Sequence, residues 1–232
     1  MCGRIVLKTA PGELAAEFAL AVEPPLAPRY NIAPTQPVAA IRRLAGGERA
    51  CDLLSWGLVP RWSTDPRVGA KMFNARSETV GEKPSFREAL ARRRCLVAAS
   101  GFYEWRRRGG SSEPHYFSAA DGGLLALAGL WERWEYPGGE VLESCSVLTC
   151  PANRLMRRVH HRMPVILPAA AYDRWLGADP AAAVTLTDLL QPAPDDRLRA
   201  WPVAPLVNRV ANDGPELIAP AHDQPPGQLN LF

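Results

Sequence analysis

Between His115 and Thr149 the chain alternates apolar runs with turn signals, and this spacing restricts its architecture more than any other stretch. His115 to Ser118, Leu124 to Trp134 and Val141 to Thr149 are rich in aliphatic and aromatic residues, and Asp121-Gly122 and Pro137-Gly138-Gly139 separate them. Turns this short join neighbouring strands that run antiparallel. Gly109 to Ser112 is a further hairpin turn.

The rest of the chain adds scattered helices and more strands. Gly12 to Leu20 carries Leu14, Ala15, Phe18 and Ala19 at helical spacing and stops before Pro24-Pro25. Arg29 to Gln36 reads as a turn-rich loop leading into a strand, Val38 to Ile41. Asp52 to Pro60 reads as a strand ended by Gly57 and Pro60. Ser85-Phe86-Arg87-Glu88 matches a capping box and opens a helix to about Arg93. Cys95 to Ala99 is a buried strand, Ala152 to Arg158 a short helix and Val165 to Leu167 a strand. Ala169 to Leu176 is a helix ended by Gly177, followed by a helix near Asp188 and a strand around Trp201 to Ala204. Grouped strands without a βα rhythm predict an α+β fold: a single domain, mainly antiparallel sheet with a barrel-like core and peripheral helices. That domain spans residues 1–220, and the Pro/Gly-rich residues 221–232 form a flexible tail.

Composition narrows the function classes. The chain has 232 residues, 47% of them apolar, enough for one sizeable core. A net charge of +3 permits a nucleic-acid partner without requiring one, but the arginines cluster: Arg42-Arg43, Arg92 to Arg94, Arg106 to Arg108 and Arg157-Arg158. Several such clusters together favour a phosphate-binding surface. No apolar run approaches the roughly 20 residues of a membrane span, and no secretory segment follows Met1. A reducing cytoplasm is the expected compartment, with nucleoid association when bound to DNA. Cys51, Cys95, Cys145 and Cys150 then read as strand or core residues rather than disulfides. Cys145 and Cys150 have no second pair to complete a zinc site, so neither metal nor cofactor is expected.

Four polar positions carry chemistry: Cys2, Asn74 (with Arg76), Glu104 and His160. Removal of Met1 makes Cys2 the N-terminus, with a thiol of reference pKa about 8.5 beside an α-amine of about 8. An N-terminal cysteine alone closes a five-membered thiazolidine with an aldehyde, through nitrogen and sulfur together. Glu104, between Tyr103 and Trp105, is placed for desolvation and a raised pKa. Each residue singly has a structural explanation: a buried small Cys2, a turn-capping Asn74, a strand-end Glu104, a hydrogen-bonded His160. Together they supply a nucleophile, a positioning amide, an acid and an imidazole, the requirements of carbonyl condensation.

Six blocks extend the pattern: Met1-Cys2-Gly3-Arg4, Arg29 to Pro34, Trp56-Gly57-Leu58-Val59-Pro60, Phe73 to Glu78, Gly101 to Trp105 and His160-His161-Arg162-Met163-Pro164. In this order they resemble the SOS-response-associated peptidase (SRAP) family, over roughly Cys2 to Pro220. The resemblance implies a catalytic and DNA-binding domain that crosslinks through Cys2 to abasic sites in single-stranded DNA, protecting the damaged strand, with lyase-type chemistry. It implies Cys2, Asn74, Glu104 and His160 as catalytic residues. Arg4, Arg76, Thr149 and Arg162 then take phosphates, Pro34 lies near stacked bases, and Trp62 or Ser63 occupies a base-wedge position. His161 departs from the aspartate usual at that place in the block. With only Met1 ahead of Cys2, an ordinary aminopeptidase suffices to expose it, which argues against general proteolysis. The alternative is an N-terminal-nucleophile glutaminase or amidotransferase, or a peptidase; the Asn-Gly motifs of such glutaminases are missing here. Gln228-Leu229-Asn230-Leu231-Phe232 resembles the peptide by which bacterial repair proteins dock on the sliding clamp. Gln228 and Leu229 with Leu231 and Phe232 are the expected contacts.

Overall fold

The computed structural model describes residues 2–177 and 186–221. In chain order it contains β1 (Ile5–Leu7), α1 (Pro11–Phe18), β2 (Arg29–Ile32), β3 (Pro37–Arg43), β4 (Arg49–Trp56), β5 (Asn74–Arg76), α2 (Arg87–Arg92) and β6 (Arg94–Ala99). There follow β7 (Gly101–Arg108), β8 (Ser111–Ala119), β9 (Leu125–Glu135), β10 (Val141–Pro151), β11 (Arg162–Pro164), β12 (Ile166–Leu167), α3 (Tyr172–Leu176) and β13 (Leu198–Pro202).

Five strands close into a barrel. β4 pairs with β3, β3 with β6, β6 with β9 and β9 with β10, all antiparallel. A short parallel pairing, Ser144↔Ser55 and Cys145↔Trp56, joins β10 back to β4 and closes the ring. The β-branched and aliphatic residues of β6, β9 and β10 are buried along nearly their whole length, as expected where both strand faces are covered. The α+β class and barrel-like core read from the sequence are therefore correct.

A second sheet, in the order β13-β8-β7-β1-β2, packs against the barrel. Side chains alternate across it with the two-residue period of a strand. Ile5, Leu7, Phe102 and Phe117 face the main core, while Val6, Tyr103 and Tyr116 form a second cluster with Val203, Val207 and Leu217. The C-terminal segment thus covers the outer face. Fully burying one such side chain contributes about 1.5–3 kcal/mol, so both faces are anchored. Gly101 sits where the two faces meet: a Cβ there would collide with the Tyr116 ring and the Phe117 carbonyl.

Several local expectations need correction. Arg29–Ile32 and Asn74–Arg76 are strands, each completed by a partner distant in sequence. Ser85 does not cap α2; Phe86 holds that position without a side-chain hydrogen bond. Ala152 to Arg158 is no α-helix but a 3-10 turn, Met156–Arg158, whose first N–H is taken by Asn153 Oδ1 at 2.8 Å. The segment near Asp188 is likewise a 3-10 turn, at 186–189. The strand at Val165 is interrupted there: the Val165 N–H bonds Leu148 and its carbonyl accepts from Ala128, bridging β10 and β9. The four cysteines at 51, 95, 145 and 150 lie on strands as free thiols.

Candidate active site

β1 fixes the start of the chain. It is held between β2 and β7, with Ile5↔Phe102 and Val6↔Gly101 in register, and the Tyr103 N–H donates to the Arg4 carbonyl at 3.0 Å. Continuing that register sets Gly3 opposite Glu104 on β7. Cys2 therefore enters the core, only 1% exposed. Burial first, and the nearby Glu104 charge second, push its thiol far above the ordinary cysteine range. Parallel pairing of β5 with β10 brings Asn74 to the same place, and its Nδ2 donates to the Cys2 carbonyl at 2.7 Å.

His160 arrives from the other side, on the loop after the 3-10 turn, where its backbone N–H bonds Met156. Its Nδ1 lies 4.0 Å from Glu104 Oε2 and 3.0 Å from the Arg162 N–H, which donates to it. Burial pulls the His160 pKa below the usual histidine value, and the Glu104 charge opposes that shift. The N–H donated to Nδ1 and the burial both favour the neutral imidazole. The His161 ring lies against His160, with centroids 4.3 Å apart.

Glu104, His160 and His161 open on a groove of about 890 Å³. Arg4, Arg76, Arg107, Arg157 and both histidines line it, together with Glu104 as its one carboxylate. Trp105 and Asn208 form one wall, joined by a 2.8 Å bond from the indole Nε1 to Asn208 Oδ1. Arg4 stacks over Trp105 and donates to the Val207 carbonyl and Asn31 Oδ1. Arg76 is exposed and has no polar partner among the described residues.

The other sequence-predicted residues are dispersed around this centre. Thr149 is fully buried, and its hydroxyl donates to the Ala75 carbonyl and accepts from Arg162. The Arg162 guanidinium is 8% exposed and bonds both Glu78 and the Thr149 carbonyl. Pro34 sits half-buried in the turn after β2. Trp62 is 62% exposed and outside the groove lining, beside Ser63, whose carbonyl accepts from Trp134. Gln228, Leu229, Leu231 and Phe232 lie outside the described residues. Asn208 gave no signal in the sequence, whereas Arg107 and Arg157 belong to basic clusters visible there. Among the described residues no group of His, Cys, Asp and Glu could hold a metal, and no helix is long and apolar enough to cross a membrane.

The sequence model of the SOS response associated peptidase (SRAP) family matches residues 1–210, a span that includes every residue of this centre. The chain belongs to this family. It is 39% identical over 222 residues to the abasic site processing protein YoqW of Bacillus subtilis, covering 94% of this chain and 99% of that one. It is 36% identical over 199 residues to the abasic site processing protein HMCES of mouse, covering 72% of this chain and 56% of that one. A crystal structure of a Bacteroides thetaiotaomicron protein superposes with a TM-score of 0.84 at 26% identity, over 95% of this chain and all of the other.

Proposed function

We propose that this protein captures abasic sites in single-stranded DNA as a covalent adduct on Cys2 and so protects the damaged strand. The observation that carries the reading is the Asn74 hydrogen bond to the Cys2 carbonyl. It fixes the residue with two nucleophiles beside the Glu104–His160 pair, at the edge of an arginine-lined groove. The names of the Bacillus and mouse relatives, abasic site processing proteins, support the same substrate.

The reading requires a free Cys2 amine, hence loss of Met1. An opened deoxyribose offers an aldehyde at C1′. The amine adds to it, the carbinolamine loses water, and an imine forms. The thiol then adds across the C=N bond, sulfur to carbon and proton to nitrogen, which closes the thiazolidine. At rest the buried thiol keeps its proton. A positive iminium beside it favours the thiolate, since an opposite charge stabilises the ionised form. His160 and Glu104 carry protons for dehydration, for ring closure and for any β-elimination. Asn74 Oδ1, buried without a partner among the described residues, suits a hydroxyl of the opened sugar. Arg4 and Arg76 face the flanking phosphates. A phosphate reaching Arg162 competes with Glu78, whose side chain is 45% exposed.

Intact mass of the purified protein, mixed with a single-stranded oligonucleotide carrying one abasic site, tests the proposal. The expected species is the chain without Met1, plus the DNA, minus one water, stable without borohydride and lost in Cys2→Ala. A protein lacking Met1 that forms no such species refutes the reading and makes glutaminase activity the next assay. The tail peptide Gln228 to Phe232 is proposed to dock on the sliding clamp. Saturable binding of a labelled peptide of the last ten or so residues is expected, and its absence ends that part.

A further inference from the structure

Several surface arginines of this protein are neutralised within it. Arg106 pairs with Glu113, Arg133 with Glu135, Arg174 with Asp188 and Arg197 with Asp121. Others, Arg87, Arg92, Arg108, Arg158, Arg199 and Arg209 among them, have no carboxylate partner among the described residues, and the groove gathers four of this kind: Arg4, Arg76, Arg107 and Arg157. Arg106 and Arg107 show how the strand sorts them. Arg106 is taken by its cross-strand partner Glu113, while Glu104, Trp105 and Arg107 line the groove. Arg107 stands opposite Ser112 on β8, a second groove residue with a hydroxyl. Arg157 faces the same space from the 3-10 turn before His160, and the only hydrogen bond of its side chain among the described residues is to the Ala152 carbonyl.

Position separates Arg107 from the chemistry. Three residues of extended strand place it about 10 Å beyond Glu104. Its backbone thus lies further along β7 than the Glu104–His160 pair. Exposed cations without counter-charges, arranged along a groove, match a polyanion, because each phosphate they neutralise releases bound counterions.

We propose that Arg107 and Arg157, with Ser112, form an arm that holds the phosphodiester backbone on one side of the lesion. Arg4 and Arg76 serve the phosphates adjoining the reacting sugar. The inference rests on the proposed function and adds to it a direction: the groove grips one flank of the abasic site more than the other.

Two abasic oligonucleotides test this, one with nucleotides only on the 5′ side of the lesion and one with nucleotides only on the 3′ side. Adduct formation is followed against DNA concentration for the native protein and for Arg107→Gln, Arg157→Gln and, as a control off the groove, Arg106→Gln. Arg107→Gln and Arg157→Gln are expected to raise the half-saturating concentration severalfold for one oligonucleotide only, with the saturating rate kept. The slope of log affinity against log salt should fall by about 0.7 for each arginine removed, and Arg106→Gln should change neither quantity. An equal effect on both oligonucleotides, no effect on either, or a lower saturating rate overturns the arm. Should the native protein form no adduct at all, the proposed function fails instead. The salt slopes on undamaged single strands then still decide whether Arg107 and Arg157 hold phosphates.

Discussion

Asn74 makes the most informative single contact in the molecule. Its amide orders the one backbone carbonyl adjoining the candidate nucleophiles, across 72 positions of sequence. A hydrogen bond of this kind contributes about 1 kcal/mol net, and more when a buried acceptor is left alone. Asn74→Ala should therefore slow adduct formation about tenfold, since 1.4 kcal/mol corresponds to one decade. The melting temperature should fall by only about 2–4 °C. Asn74→Asp should be slower still, because a carboxylate would face the Cys2 carbonyl. Rates measured at saturating DNA, with melting curves on the same samples, check this. A native rate in Asn74→Ala removes Asn74 from the mechanism. The residue types at this candidate site were legible in the sequence as a set that carbonyl condensation would use. Their meeting was not, since Asn74 reaches Cys2 only through the pairing of β5 with β10.

At the scale of elements, the hairpins were legible and the short strands were not. β8, β9 and β10 announce themselves through long apolar runs bounded by glycine, and the runs identified from His115 to Thr149 match them, the second starting one residue before β9. β2 and β5 have three or four residues each, too few to show an alternating pattern, and each carries an asparagine, which locally favours turns. Tertiary pairing overrides that preference: Arg29–Ile32 lies against β1, and Asn74–Arg76 against Val147 to Thr149. The helix expected from Ala152 to Arg158 fails for a related reason. Asn153 Oδ1 takes the Met156 N–H in the manner of an N-cap and its amide bonds Ala193, so Ala152 and Asn153 stay outside the turn, which is left with Met156–Arg158. That turn delivers His160 to Glu104. The places where local propensity misleads are thus the places that build the site, consistent with functional regions departing from local rules.

For the whole molecule, the covering of the second sheet by the C-terminal segment ties both ends of the described chain to one site. Buried Asn31 donates through Nδ2 to the carbonyls of Val207, Arg209 and Asn212. Asp213 accepts from the backbone N–H groups of Tyr30 and Asn31 at 2.5 and 2.8 Å and pairs with Arg29. Arg4 binds the Val207 and Asn208 carbonyls of the same segment, so the groove wall and the strand carrying Cys2 are braced together. Asp213→Ala strips two β2 amides of their acceptor at once. The expected loss is about 2–3 kcal/mol, or roughly 5–10 °C in melting temperature for a domain of this size. The same substitution should weaken DNA capture, because Arg4 and Asn208 lose their common support while Cys2, Glu104 and His160 remain in sequence. Melting and half-saturating DNA concentration must then change together. A variant that melts early yet captures DNA like the native protein would separate the clasp from the groove and leave it a purely structural seal on the outer sheet.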